Sequence, residues 1–313
     1  MAHGISRDSF FRQSGVMDAQ APAKNQMLEA ITPVLLTFNE EVNIGRTLAK
    51  LAWAREIVVV DSGSQDATLA ILATESRVRL FQRNFDNHSA QWRYAMEETG
   101  IRTPWILRLD ADYQLTESLI GEIASLNPGP AISAYIAGFD YAVFSRKLRS
   151  SLYPPKPILL RQGFFSISDQ GHTEGWVVRG STANLSARIV HDDWKSMREW
   201  VIAQARYMKR EQAELRFTRK GLRDWLRMHP PLMPIAVFFY CLFGKRLLLD
   251  GKAGLFYTLQ RTIAESILAL FVLESALLGQ STKTRENTPD PDQHRQDKSA
   301  GVQSAARPNT HGS

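Results

Sequence analysis

Between residues 31 and 112 the chain four times sets a short apolar run against an amphipathic stretch, and this rhythm restricts the fold more than any other feature. The runs are PVLLTF (33–38), EIVVVD (56–61), VRLFQ (78–82) and WILRLD (105–110). EIVVVD is too continuously apolar for a strand with one wet face, so it belongs in a sheet covered on both sides. The intervening segments carry Val42, Ile44, Leu48, Leu51 and Trp53, then Leu69, Ile71 and Leu72, near helical spacing. Strands alternating with helices through short connections predict an α/β fold with a mostly parallel central sheet and right-handed crossovers. In such sheets ligands bind beyond the carboxyl ends of the strands.

That edge collects the polar residues. Strand one ends in Thr37-Phe38-Asn39-Glu40, strand two in Asp61-Ser62-Gly63 and strand four in Asp110-Ala111-Asp112. Two carboxylates so close repel unless a cation stands near them. Hard oxygen ligands suit Mg²⁺ or Mn²⁺, which bridge to substrate phosphates. The acids therefore predict a cleft for a metal–diphosphate. GxGxxG is missing after the first run and GxxxxGK[ST] from the whole chain, which argues against a dinucleotide-binding dehydrogenase and a P-loop NTPase.

Taken together, LLTFNEEVNIGRTLAKL, EIVVVDSGSQDAT and WILRLDADYQL resemble the family 2 inverting glycosyltransferases of the GT-A fold, over about residues 31 to 126. Residues 132 to 275 resemble the bacterial cell-envelope branch of that family, which includes enzymes of lipopolysaccharide core and exopolysaccharide synthesis. The resemblance implies that Thr37, Asn39, Glu40 and Asp61 hold the nucleobase and ribose of a nucleotide-sugar, a UDP-sugar foremost. It implies that Asp112 ligates the metal and that Asp110 assists with ribose or metal. Gln91 and Arg93 match a segment near the nucleotide, and His191 matches a histidine near the substrate, a metal or phosphate contact. Competing local readings make Asn39 a helix N-cap, Arg93 a solvent-facing residue, and Asp66 and Thr68 caps of the second helix.

An inverting transfer needs a base for the acceptor hydroxyl. In SDQGHTEGWVVRG (168–180), His172 and Glu174 alternate on an extended segment and so share a face. Glu174 is expected as the base, with His172 as its neighbour or an acceptor contact; Asp169 is the rival, and a purely structural turn the alternative. Asp192 or Asp193, with Asp193 favoured, is expected to cap a helix starting at Trp194. Arg161 offers a weaker phosphate contact.

Charge is distributed unevenly. Residues 188–252 hold 14 basic and 7 acidic side chains, so one stretch carries +7 against +6 for the whole chain. Its basic residues interleave with a stripe of Trp194, Met197, Val201, Ala205, Met208 and Leu215, and with the apolar runs 230–244 and 253–279. Neither run has about 20 uninterrupted apolar residues, so a helix lying on an anionic membrane surface is predicted rather than a span; packing on the catalytic domain is the alternative. The expected division is a flexible leader (1–30) without an apolar signal core, a catalytic domain (31–190), a helical membrane-associating region (191–279) and a disordered tail (280–313). Cys241 is the single cysteine, which excludes an intrachain disulfide and suits a reducing compartment. The expected setting is cytoplasmic, peripheral at the inner face of the membrane, with a lipid-linked saccharide or lipopolysaccharide acceptor and no nucleic-acid partner. Two rivals are a sugar-phosphate nucleotidyltransferase, which calls for a basic glycine-rich loop where this chain has TFNEEVNIG, and a nucleic-acid-binding protein, which leaves the acidic cleft unexplained.

Overall fold

The computed structural model describes residues 24–170, 173–215, 221–230 and 232–286. After helix α1 (Lys24–Glu29) the expected alternation follows: β1 (Ile31–Thr37), α2 (Ile44–Ala49), β2 (Ile57–Asp61), α3 (Thr68–Ala73), β3 (Val78–Gln82), α4 (His88–Glu97) and β4 (Trp105–Asp110). The chain continues through β5 (Tyr113–Gln114), α5 (Glu117–Ala124), β6 (Ile132–Ala137), β7 (Phe139–Val143), β8 (Arg146–Lys147) and β9 (Lys156–Arg161). A hairpin of β10 (Phe165–Gln170) and β11 (Thr173–Val178) precedes β12 (Ser181–Asn184) and β13 (Ile189–His191). Helices α6 (Met197–Leu215), α7 (Leu222–Arg227), α8 (Leu232–Phe239) and α9 (Gly251–Glu286) complete the described chain.

The central sheet has the order β12-β6-β9-β4-β1-β2-β3. All neighbours are parallel except β9, which runs antiparallel to β4 and β6. Strand alternation splits the core between two faces. Leu35, Ile57, Val59, Leu107 and Leu109 pack with Ile44, Leu48, Leu119 and Ile123 on one side. Val34, Val58, Val60 and Ile106 meet Trp92, Ala95 and Met96 of α4 on the other, where Phe165, Ile167 and Trp176 of the hairpin also lean in. A small second sheet, β5-β13-β7-β8, stands beside the ends of the parallel strands. It pairs His191 with Tyr113 on one side and Tyr141 on the other. A histidine far along the chain is thereby set next to the acids after β4.

The helical end corrects two expectations. The helix after His191 begins at Met197, not Trp194, and its cap is Ser196: the Glu199 amide donates to Ser196 Oγ at 3.3 Å while the Ser196 amide donates to Glu199 Oε2 at 2.8 Å. This is a reciprocal capping box, S-M-R-E in the sequence. Only part of the expected stripe is covered. Met208 and Leu215 are buried against Ala264 and Leu268 of α9, whereas Trp194, Met197 and Val201 are exposed. No single described helix is long and apolar enough to cross a membrane; Leu232–Gly244 and Leu247–Leu278 form a pair bent by 70°. Residues 1–23 and 287–313, which hold most of the expected leader and tail, lie outside the described residues.

Candidate active site

The site is built at the carboxyl edge of β1, β2 and β4. Asp61 is fully buried and its carboxylate is occupied. Oδ1 accepts from the amides of Gly63 (2.9 Å) and Ser64 (2.8 Å), and Oδ2 from the hydroxyls of Thr37 (2.8 Å) and Ser64 (2.5 Å). As observed, Thr37 and Asp61 brace the loop after β2. Asn39 locks the neighbouring loop to it: its amide donates to Ser64 Oγ at 2.8 Å and its side-chain oxygen accepts from the Gln65 amide at 2.9 Å. Asn39 has a φ of +52°, which asparagine tolerates better than most residues, and is not a helix cap; Asn43 precedes α2. Asp66 accepts from the amide and hydroxyl of Thr68 in a local turn, but the N-cap of α3 is Ala67, without a side-chain cap bond, so the expected capping by Asp66 and Thr68 is not what starts this helix.

Glu40 lies inward between two charges. Burial pushes its carboxyl up to about 8, the ammonium of Lys195 opposes that rise, and the charge of Asp112 reinforces it. Lys195 forms an ion pair with Glu40, and Asn43 Nδ2 donates to Glu40 Oε2 at 2.9 Å. Asn43, itself fully buried, also donates to Asp193 Oδ1 at 2.8 Å. The segment after β13 is therefore tied to the loop after β1. Asp193, expected as a cap, belongs to this tie.

Asp112 Oδ2 lies 2.9 Å from His191 Nε2, while Asp112 Oδ1 and His191 Nδ1 are buried and have no hydrogen-bond partner in the described structure. Orphaned buried polar atoms of this kind call for an ion or ligand. The charge of Asp112 and its hydrogen bond raise the pKa of His191 against the opposing effect of burial. Asp110 is half-exposed, with Lys156 Nζ 3.9 Å away. Burial would raise its carboxyl, but Lys156, Arg108 and a hydrogen bond from Tyr113 hold it below the ordinary range. Lys156 also donates to Tyr153 at 2.7 Å and to Tyr113 at 3.1 Å, and the rings of Tyr141 and Tyr153 pack on His191. The acid pair thus faces a lysine and a wall of tyrosines. Among the described residues no three His, Cys, Asp or Glu side chains form a complete ion cage. Asp112 and His191 are the residues that would hold a divalent ion here.

On the α4 side, Gln91 is fully buried, donating to Ser62 Oγ (2.8 Å) and accepting from Arg83 Nη1 (2.8 Å), which fixes the loop after β2. Arg93 turns to the hairpin, where it donates to the Ile167 carbonyl at 3.3 Å; the solvent-facing reading of it is set aside. Arg161 lies away from the site, donating to the carbonyls of Ile132 and Gly129 under the Trp105 ring. Glu174 pairs across the hairpin with Asp169, two residues from its tip, and His172 lies outside the described residues.

Several contributors escaped sequence reasoning. Asp192, buried beside His191, accepts from Arg46 Nη1 (2.9 Å), Trp194 Nε1 (2.8 Å) and the Ser145 amide (3.1 Å), which steadies Phe144 and Ser145 at positive φ. Lys195 and Lys156 supply cations from segments with no motif. His88, at the start of α4, bears on Asp110 electrostatically and stacks with Tyr207 of α6. A basic residue isolated in its segment carries no spacing signal, and only pairing across the fold reveals it.

The chain is similar to several known proteins. Among solved structures, S. aureus TarS 1-349 superposes with a TM-score of 0.36 at 13% identity, covering 80% of this chain and 91% of that one. Glucosyl-3-phosphoglycerate synthase from Mycobacterium tuberculosis, in complex with Mn²⁺, uridine-diphosphate and phosphoglyceric acid, gives 0.37 at 14% identity, covering 61% and 81%. A mycobacterial protein gives 0.31 at 17% identity, and the chain spans 44% of its length. The lipopolysaccharide core biosynthesis glycosyltransferase LpsC of Rhizobium meliloti (strain 1021) is 25% identical over 190 residues, which is 56% of this chain and 68% of the relative. Residues 33–180 match the family model described as Glycosyl transferase family 2. Residues 33–180, which hold most of the central α/β sheet, are thereby assigned to a family 2 glycosyltransferase domain.

Proposed function

We propose that the protein moves a sugar from a UDP-sugar to a lipid-linked or lipopolysaccharide-type acceptor, inverting the anomeric centre. The observation that carries this reading is the unpartnered Asp112 oxygen beside His191, at the rim of a family 2 domain. Asp112 and His191, with Asp110 alongside, would hold a divalent ion. When bound, the ion offsets charge on the departing nucleoside diphosphate.

The chain's own residues do the rest. Asn39, Glu40 and the loop braced by Asp61 form the nucleoside end, and Lys156 adds positive charge beside Asp110. Glu174 removes the proton from the acceptor hydroxyl as its oxygen bonds to the anomeric carbon. The bond from that carbon to the diphosphate oxygen breaks on the opposite face, and the electron pair leaves with UDP. The LpsC similarity supports an envelope acceptor.

Thermal-shift titration with UDP-, GDP- and ADP-sugars, with and without Mn²⁺, tests the reading, because ligand binding raises apparent stability. A UDP-sugar is expected to stabilise the protein more in the presence of Mn²⁺, and Asp112→Ala to remove that increment. Glu174→Gln is expected to keep donor binding and lose transfer. Normal turnover in Glu174→Gln, or a Mn²⁺ increment unchanged in Asp112→Ala, would refute the assignments.

A further inference from the structure

The helical end turns a large apolar surface outward. Leu222 and Trp225 on α7, Phe239 at the end of α8, Tyr240 and Phe243 in the π-helical turn Tyr240–Gly244, and Leu248 and Leu249 in the 3-10 turn Leu247–Asp250 are each more than half exposed. Phe239 and Phe243 stack on one another with ring centroids 6.1 Å apart, which makes part of this surface continuous. Along α9, Leu255, Leu259, Leu270 and Leu273 repeat at helical spacing on the side away from buried Tyr257, Ala264 and Leu268. Isolated exposed leucines are ordinary; this many on adjoining elements are not.

The surface is held by fixed structure. The 70° elbow between Leu232–Gly244 and Leu247–Leu278 is set by Arg246 at φ +57° and Gly251 at φ +58°. Gly254 lets the Leu247 carbonyl press onto the first turn of α9: an added Cβ would stand 1.9 Å from that oxygen. Phe243, Leu248 and Leu249 on this elbow are exposed.

Its charge is mainly basic around the elbow, although α7 also carries Asp224 and α9 an exposed Glu274. Arg223, Lys245, Arg246 and Lys252 flank the apolar residues, and Lys245 Nζ stands 5.8 Å from the Tyr240 ring. The elbow's own acid, Asp250, is paired with Arg149 at 2.7 Å, so its charge is answered from the catalytic domain. A two-fold contact with a second copy would bring these cations against each other. An anionic bilayer leaflet offers the opposite charge together with an apolar interior.

We infer that the elbow and the outer leucines of α9 form a membrane-docking face that seats the enzyme on an anionic leaflet without spanning it. The face stands on its own observations; it deepens the proposed function by bringing the active site to a lipid-anchored acceptor. Flotation of the full chain with vesicles of phosphatidylethanolamine and phosphatidylglycerol, against phosphatidylcholine alone, tests it. The protein is expected to float with the anionic vesicles. Lys245→Gln with Lys252→Gln is expected to weaken binding roughly thirtyfold, and Phe243→Ser with Leu249→Ser at least about tenfold. Binding of UDP-sugar in the same samples should be unchanged, which separates failure of the face from failure of the transferase reading. A wild-type chain that stays off anionic vesicles, or variants that float like it, would overturn the inference. So would a wild-type dimer that Phe243→Ser with Leu249→Ser dissolves, which would assign the face to a second copy.

Discussion

Arg227 joins three helices at a point where water is scarce. Its guanidinium donates from Nε to Glu265 Oε2 at 3.0 Å and from Nη2 to Glu265 Oε1 at 2.6 Å, a fork on α9, and pairs with Glu211 of α6. The side chains of Arg227 and Glu265 are each 4% exposed. Arg227→Met would keep most of the packing volume and leave the Glu265 carboxylate buried without a counter-charge. Breaking a buried pair in this way costs about 3–5 kcal/mol, a large share of a domain stability of roughly 5–15 kcal/mol. Replacing both partners, Arg227→Met with Glu265→Leu, is expected to restore most of the loss. Glu211 is 19% exposed and can turn to solvent. Urea unfolding of the two single variants and the double variant, arranged as a double-mutant cycle, reads the coupling directly. A loss below about 1 kcal/mol for Arg227→Met, the size of a surface pair, would refute the reasoning. So would a double variant no more stable than Arg227→Met.

Three further outcomes are expected. Asp192→Ala removes the acceptor shared by Arg46, Trp194 and the Ser145 amide and should cost about 2–3 kcal/mol in urea unfolding; Asp192→Asn, which keeps an acceptor oxygen, should lose about half as much. Glu40 in the fold titrates above its ordinary value of 4.5, at about 8, so the folded state holds that proton more tightly than the unfolded chain. Its contribution to stability is therefore complete below the ordinary value and fades as pH rises through the raised one. Glu40→Gln should gain on the wild type across that window, and parallel stability–pH profiles would count against the burial described. Gly254→Ala places a methyl against the Leu247 carbonyl and should lower the unfolding free energy read from urea curves by well over the ~1 kcal/mol of an ordinary helix substitution, measured beside Gly121→Ala, where nothing stands in the way.

Strands β1, β2 and β4 were legible because burial on two faces leaves runs such as IVVV, whereas β3 lies half-exposed at the sheet edge; each run became a strand within two residues of its expected ends. The acids at their ends were legible for the same reason, since the chain turns polar only where it leaves the core. What could not be read was partnership. Asp192 and Asp193 look like any acids before a helix, and the capping signal three residues after Asp193, Ser196 with Glu199, was masked by them. Glu265 reads as a polar break in an apolar run, yet in the fold its charge is met by Arg227, 38 residues away. Local patterns carry local structure, and a salt bridge between separate helices leaves no periodic trace. The small second sheet was likewise invisible: two- and three-residue strands such as β5 and β13 have no pattern of their own.

One strand runs against the rest. Because β9 is antiparallel between β4 and β6, it begins where its neighbours finish, and its first residue, Lys156, arrives beside Asp110. For every parallel strand, the connection that follows it borders the reaction; for β9 it is the connection that precedes it, residues 148–155, with Tyr153 already among the rings on His191. Shortening or grafting that approach segment would reshape the wall beside Asp110 and His191 while leaving the sheet's hydrogen-bond ladder untouched.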